Sequence, residues 1–407
     1  MQYPKILLVV CLLIFSVALF SKCGSNGQPS TKDPRGDAYA GMQTCIACHQ
    51  DVFASYTHSN HAKTSWAIHD TVLDKTAPST RPFYFQDSSR VVIEEGNDSL
   101  FQSYFVNGRK TVSNQFDIAF GSGEKAQTYA SWQKDQLLQL PLSYYSSLHD
   151  WANSPGFPAS HARFERVIVS RCFECHASYV EKEFVQSGPL AVSEKLDRNS
   201  IIYGIDCERC HGPASEHVQF HREHPAAKTP MYMVSLRSLN RRRQLDVCAV
   251  CHSGNDQATQ RAVFGFRPGD TLSNFYYPDF DARNKEPDVH GKQLQLLGMS
   301  RCYQQTGMTC MTCHNPHDEG KGTNGYIATC MNCHRQSSHA LEMLKETRTQ
   351  DARSGMQRPD CLDCHMPLQA SKTIYFSNST GAKVIPYYLR THRIAVYKDS
   401  IQTSQKE

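Results

Sequence analysis

The pentapeptide Cys-x-x-Cys-His occurs seven times in this chain of 407 residues. The copies are Cys45/Cys48/His49, Cys172/Cys175/His176, Cys207/Cys210/His211, Cys248/Cys251/His252, Cys310/Cys313/His314, Cys330/Cys333/His334 and Cys361/Cys364/His365. This spacing is the attachment signature of c-type haem. Two thiols three positions apart reach the two vinyl groups of one porphyrin, and the adjacent His supplies an axial iron ligand. A zinc site needs two dithiol pairs and has no use for a His after every second Cys. A thioredoxin-like redox pair is the other rival, and recurrence excludes it: the motifs consume 14 of the 17 cysteines. The sequence therefore reads as one that carries seven covalently attached haems c.

That reading changes what composition means. Porphyrins take the place of side chains in the interior, so 40% hydrophobic residues suffice for a packed protein of this length. Thiols spent on thioether bonds place the chain outside the cytoplasm of a bacterium. The formal charge of +4 includes Lys5 and Lys22. Without them it is +2, and seven haems, each with two propionates and one net ferric charge, bring it to about −5 if fully ionised, which disfavours nucleic acid as a partner.

Residues 1–22 hold Lys5 and an apolar run over 6–20, short for a membrane span and suited to a signal peptide. Cys11 lies inside that run and needs no role. Cys23 stands where a bacterial lipoprotein carries its lipidated first residue, although Lys22 occupies a position usually given to a small residue. Residues 23–40, rich in Gly, Ser, Pro and charge, read as the tether of such a lipoprotein. The expected location is periplasm-facing or outer-membrane, with cleavage by an ordinary signal peptidase as the alternative.

A first haem segment spans 41–70, and a β-rich insert follows over 71–150. Its runs at 82–86, 90–94, 100–106, 111–118, 127–132 and 136–142 are rich in Val, Ile, Phe and Tyr, and turn signals separate them. Asn107-Gly108 between two such runs is a hairpin signal, and the pattern predicts an antiparallel meander between haems one and two. From Cys172 onward the motifs begin 35, 41, 62, 20 and 31 residues apart, leaving room for one or two short helices per haem. The clearest helix is expected over 337–348. The fold class is thus mainly α with much irregular structure: a six-haem domain over 151–395, the β insert before it, and a tail over 396–407.

Each motif supplies one His, so low-spin iron needs a second from elsewhere. His317, three residues after His314, cannot reach round its own haem and would serve a neighbour. The same holds for His217, six residues after His211.

Cys207 to His211 followed by Gly212-Pro213 and His217 resembles cytochrome c-554 and the hydroxylamine-oxidoreductase-related multihaem proteins. So do His314-Asn315-Pro316-His317, His365-Met366-Pro367, the run Arg241-Arg242-Arg243-Gln244-Leu245-Asp246, and His290-Gly291. The resemblance covers roughly residues 41–395. It implies a multihaem cytochrome c with mostly bis-His haems in close pairs, and His61, His217, His290, His317 and His392 as distal ligands. His339 is added on spacing, soon after the sixth motif. His149 and His161 are reserves near the second motif, and His58, His69, His221 and His224 are weaker still. An iron with an open sixth position is expected among the first two haems. The catalytic Cys-x-x-Cys-Lys motif of cytochrome c nitrite reductase is missing, and no tyrosine is identifiable as a haem crosslink. Electron transfer, with redox proteins such as a quinol oxidase module or other cytochromes as partners, is the leading expectation. Its rivals are a terminal oxidoreductase of a small nitrogen or sulfur compound and a haem-bearing subunit of a larger respiratory complex. Arg241 to Arg243 are expected to neutralise propionates or steer a partner, and Cys302 to be a small packing residue.

Overall fold

The computed structural model describes residues 33–68, 81–96, 99–254, 256–278, 286–335, 360–379 and 383–397. Cys23, His69, His339 and the helix expected over 337–348 lie outside the described residues. Strand is as abundant as helix, 29% against 28%, so the expectation of a mainly α chain is corrected. Two long hairpins in the haem-rich half account for much of the difference.

In chain order the first elements are helices α1 (Met42–Ile46) and α2 (Gln50–Tyr56) and strand β1 (Ser65–Ala67). Strands β2 (Phe83–Tyr84), β3 (Arg90–Gly96), β4 (Ser99–Val106) and β5 (Arg109–Gln115) form a four-stranded antiparallel sheet. Asn107 and Gly108 both take positive φ, 51° and 76°, between Val106 and Arg109, which pair. That is the two-residue turn whose twist matches antiparallel strands. Strands β6 (Ile118–Phe120), β7 (Ala126–Gln133), β8 (Gln136–Gln139), β9 (Leu142–Tyr145) and β10 (Asp150–Asn153) make the second sheet with β1. The β layer is therefore two sheets rather than one meander, and it recruits β1 from the first haem segment.

A buried glutamine joins the sheets. Gln102 on β4 donates to the Leu142 carbonyl at 2.8 Å and accepts from the Leu142 amide at 2.9 Å. Both halves of its amide are thereby satisfied, as burial demands. Phe116, Tyr129, Leu142, Tyr145 and Trp151 pack beneath it as one apolar cluster.

The haem-rich half holds α3 (Ser170–His176), the hairpin β11 (Ala177–Gln186) and β12 (Val192–Tyr203), α4 (Cys207–His211), α5 (Ser215–Glu223) and α6 (Arg241–His252). Then come α7 (Gln293–Gly298), α8 (Arg301–Gln305), α9 (Gly322–His334), α10 (Cys361–His365), and the hairpin β13 (Leu368–Ser377) and β14 (Val384–Arg390). Phe376 and Tyr387 of the last hairpin insert into the β-layer cluster, and the Ser377 amide donates to Asn153 Oδ1 at 2.6 Å. The C-terminal hairpin thus clasps the β layer to the haem half. Among the described residues no helix is long and apolar enough to cross a membrane.

Residues 33–41, part of the interval read as a tether, are docked into the molecule. Arg35 reaches Asp206 at 2.7 Å and Glu208 at 3.2 Å, with Asp33 beside it at 2.9 Å. Glu208 also accepts from the Ala40, Gly41 and Ala214 amides, each at 2.9 Å.

Candidate haem-ligand constellation

Six of the motifs lie in or at the end of short helices, and the fifth opens on the 3-10 turn Cys310–Thr312. A helical turn puts residues i, i+3 and i+4 on one face, so both thiols and the His of a motif point the same way. Caps fix where those turns begin. Asp206 accepts from the Arg209 amide, Asn240 from the Arg243 amide, and Asp360 forms a reciprocal capping box with Asp363.

Thiols of different motifs meet. Cys45 lies within hydrogen-bonding reach of Cys207, Cys175 of Cys251, and Cys248 of Cys310. Cys210 lies in the electrostatic field of Cys251, and Cys330 in that of Cys361 and Cys313. No disulfide joins the described cysteines.

Cys48 and His49 of the first motif and Cys333 and His334 of the sixth are exposed. The cause is local. The first motif straddles α1, which buries no residue, and α2, which buries only Tyr56. His49 is the N-cap of α2 and makes no side-chain capping bond there. The sixth motif ends α9, another helix with no buried residue. Helices without a buried apolar face cannot exclude water from the thiols they carry.

The histidines are paired across long stretches of sequence. His61 and His252 have ring centroids 6.2 Å apart, His211 and His317 are 5.9 Å apart, and His314 and His392 are 6.1 Å apart. An imidazole nitrogen binds a first-row metal at about 2 Å with its ring centre about 1 Å behind, so two axial imidazoles on one metal stand about 6 Å apart, centre to centre. The three pairs fit that requirement, and in each a motif His faces one that no motif contains. His176 meets Phe120 edge-on at 5.9 Å and lies in the field of His290. Among the described residues no group of three or more His, Cys, Asp or Glu could cage a bare metal ion. Paired imidazoles beside thiols suit an iron whose other four ligands come from a porphyrin.

Desolvation by surrounding protein, followed by the fields of His61, His392 and His314, pushes the imidazole of His252 down to about 4. The ring is nonetheless reachable by solvent, as are those of His176, His290 and His314, which is how the walls of a cleft behave. Desolvation and then His314 push His392 to about 4 as well. Neutral imidazole is the form that ligates a metal. The nitrogen that does not ligate needs a partner, which fixes tautomer and ring orientation. His61 Nδ1 lies 3.4 Å from the Pro316 carbonyl, His365 Nδ1 2.9 Å from that of Ala395, and His217 Nδ1 2.8 Å from that of Met231.

The backbone around His61 shows why it lies where it does. Its carbonyl accepts from the Ile205 amide at 2.9 Å, and Gly204 takes φ +67° beside it. A Cβ at Gly204 would stand 2.5 Å from the Ala62 carbonyl, so the close approach requires glycine. The loop Asn315-Pro316-His317 serves two pairs at once, since Pro316 orients His61 while His317 faces His211.

Other expected residues fall elsewhere. His217 sits on α5, whose Ser215 bonds the Asp37 and Ala38 carbonyls near the first motif, and its ring lies 4.6 Å from His221. His149 and His161 are exposed on the β layer, His149 in a left-handed turn between β9 and β10. His58 faces Glu319 at the surface. The three arginines before the fourth motif are spent on protein groups. Arg241 donates to the Met308 and Tyr303 carbonyls, and Arg242 and Arg243 bracket the buried carboxylate of Asp246. Sequence reading missed Asp288, Ser300 and Arg35, none of which belongs to a motif.

Two family models match parts of the chain: cytochrome c3 over residues 302–377, and cytochrome c554 and c-prime over residues 120–212. Among curated proteins, the chain is similar to the dissimilatory sulfite reductase MccA of Wolinella succinogenes, with 20% identity over 82% of this chain and 51% of that protein. It is also similar to the multiheme cytochrome MtrA of Shewanella baltica, with 25% identity over 40% of this chain and 52% of that one. The chain spans about half the length of these relatives. A solved structure, the outer cell wall cytochrome OcwA, superposes with a TM-score of 0.53 at 17% identity, covering 91% of this chain and 82% of the other.

Proposed function

From a chain that is a multihaem cytochrome c, we propose an exported electron-transfer protein in which seven haems c are held mostly between two histidines each. The observation that carries this is the set of three His–His pairs at 5.9–6.2 Å. When bound, haem supplies one-electron Fe(III)/Fe(II) cycling, and axial ligands, burial and nearby charge tune its potential. The residues do the rest. His252 with His61, His211 with His317, His314 with His392 and His176 with His290 would hold one iron each. His49 holds the first, which His217 completes from α5. Two imidazoles per iron hold the same ligand set in both oxidation states.

The thiol contacts give the order in which attachment sites adjoin. Motif one abuts three, motif four adjoins two, three and five, and motifs five, six and seven follow in turn. Motif four is then the junction of the array. Electrons enter from and leave to redox proteins, a quinol-oxidising module or another cytochrome, through a chain anchored by lipid at Cys23. Two measurements test the frame. The mass of the denatured holoprotein should exceed that of the processed chain by seven haems, and a smaller increment overturns the count. Cys23→Ser should move the protein from the membrane fraction to the soluble one, and identical fractionation of variant and wild type overturns the anchor.

A second reading, reduction of a small sulfur oxyanion, draws on the similarity to a sulfite reductase over most of this chain. It needs an iron with one free face. His290 beside His176 makes the second haem a poor choice, and the described ring pairs account for motifs three, four and five. The seventh motif, whose His365 Nδ1 faces the Ala395 carbonyl, would be the place for such a site. Steady-state oxidation of reduced dye by the holoprotein on addition of sulfite would favour this reading. A wholly low-spin ferric spectrum without sulfite turnover leaves electron transfer alone.

A further inference from the structure

His290 stands on a segment, 286–292, that is neither helix nor strand. Nothing regular in its own backbone fixes where the ring points. Two residues earlier, Asp288 turns a carboxylate into the molecule and is only 7% exposed. Its Oδ1 accepts from the Lys372 amide at 3.1 Å. Its Oδ2 accepts from the Ser371 hydroxyl at 2.9 Å, the Thr373 amide at 3.1 Å and the Thr373 hydroxyl at 2.5 Å. The backbone N–H of His290 itself is a further donor to the same carboxylate. The donors from Ser371 to Thr373 lie where the pairing of β13 with β14 shifts register between Ala370 and Tyr375. A bulge frees backbone N–H groups from the ladder and re-aims them.

We propose that Asp288 is the positioning residue of the second haem, clamping the backbone of His290 to the bulge of β13 so that the imidazole stays opposite His176. This rests on the reading of His290 as a sixth ligand. Charge-assisted bonds from two amides and two hydroxyls are stronger than neutral ones and directional enough to fix a loop. The clamp reaches further than one haem. The same hairpin runs on through β14 to His392, whose carbonyl accepts from the fully buried Ser300 hydroxyl at 3.2 Å. One β element thus braces the ligand of the second haem through Asp288 and carries that of the fifth at its end.

The test compares three variants of the full holoprotein by electron paramagnetic resonance and by carbon monoxide binding to the ferrous form. His290→Ala reports on ligation itself and should show one high-spin ferric iron per chain, which added imidazole returns to low spin. Asp288→Ala should show the same imidazole-reversible signal with haem content unchanged. Ser371→Ala with Thr373→Val removes two donors without touching the carboxylate and serves if Asp288→Ala does not fold. It should speed carbon monoxide binding on the order of ten-fold, in line with the loss that follows when a ligand's support is removed. No high-spin iron in His290→Ala overturns the ligand assignment. High-spin iron there, with wild-type spectra and binding rates in the other two variants, overturns the clamp alone.

Discussion

His61→Ala converts one iron per chain from low-spin to high-spin and opens it to cyanide in the ferric form and to carbon monoxide in the ferrous form. The ring removed lies 6.2 Å from that of His252, at the spacing of two imidazoles on one metal. A methyl side chain leaves the far face without a ligand. His58, a nearby alternative in sequence, is turned to the surface beside Glu319, so it does not substitute. The pairing has an additive signature. His61→Ala and His392→Ala act on different irons, so the double variant shows two high-spin irons per chain. Adding Cys248→Ala and Cys251→Ala to His61→Ala removes the affected haem and with it the high-spin signal. A low-spin spectrum for His61→Ala, or a high-spin signal that survives loss of the fourth attachment site, would refute the assignment.

The pairs also bear on how the chain is held together. His61 follows the first motif and faces the fourth, His317 follows the fifth and faces the third, and His392 lies past the seventh and faces the fifth. Every such contact joins segments remote in sequence, so haem ligation would close loops that short helices cannot close alone. Small cores in this half fit that division of labour. The cluster of Val247, Val250, Val263, Phe266, Leu272 and Phe275 packs around α6, with Cys210 of α4 and Leu294 of α7 against it.

Local chemistry was legible wherever it is written in neighbouring residues. Seven motifs and the Asn107-Gly108 turn could be read because a thioether site and a tight turn each depend on two to five consecutive residues. The strand-like runs of the β layer also coincide with strands, since alternation is a local property. Pairing is not local. Nothing beside His61 says that it faces His252 rather than its own haem, because the choice is made by the Ile205 amide, by Gly204 and by the Pro316 carbonyl. Exposure is not local either. Cys48 and Cys333 are exposed thiols although their pentapeptides read like the other five, and the helices that carry them bury few residues. The hairpin of β11 and β12 was missed although Ser187-Gly188-Pro189 marks its turn, because 177–203 mixes charged and apolar residues without clean alternation. The arginine run misled because charge alone does not show that Asp246 lies buried beneath it. Residues 33–40 misled most, since polar composition reads as solvent-exposed tether unless the acids that receive Arg35 are known.

Those acids make Arg35 the residue whose loss should cost most stability outside the haem sites. Its side chain is 5% exposed, against 2% for Asp206 and 0% for Glu208. The guanidinium stacks on Tyr39 at 4.2 Å and bridges both carboxylates while holding Asp33. Arg35→Ala leaves three carboxylates facing one another with no cation among them. Removing one partner of a buried ion pair typically costs about 3–5 kcal/mol, because the charge left behind has been desolvated for nothing. Arg35→Lys keeps the charge but not the planar fork that serves two acids at once, so it loses less. Lys110→Ala breaks the exposed pair with Glu94, and a surface bridge of this kind is worth at most about 1 kcal/mol. Denaturant titrations of the three holoproteins, followed by far-ultraviolet circular dichroism, should rank them in that order. Position adds a second readout. Asp206 and Glu208 flank Cys207, whose thiol meets Cys45, so Arg35→Ala should also disturb the Soret circular dichroism that arises from coupling between the first and third haems. Equal midpoints for Arg35→Ala and Lys110→Ala would show that the N-terminal segment is bound no more tightly than a surface loop.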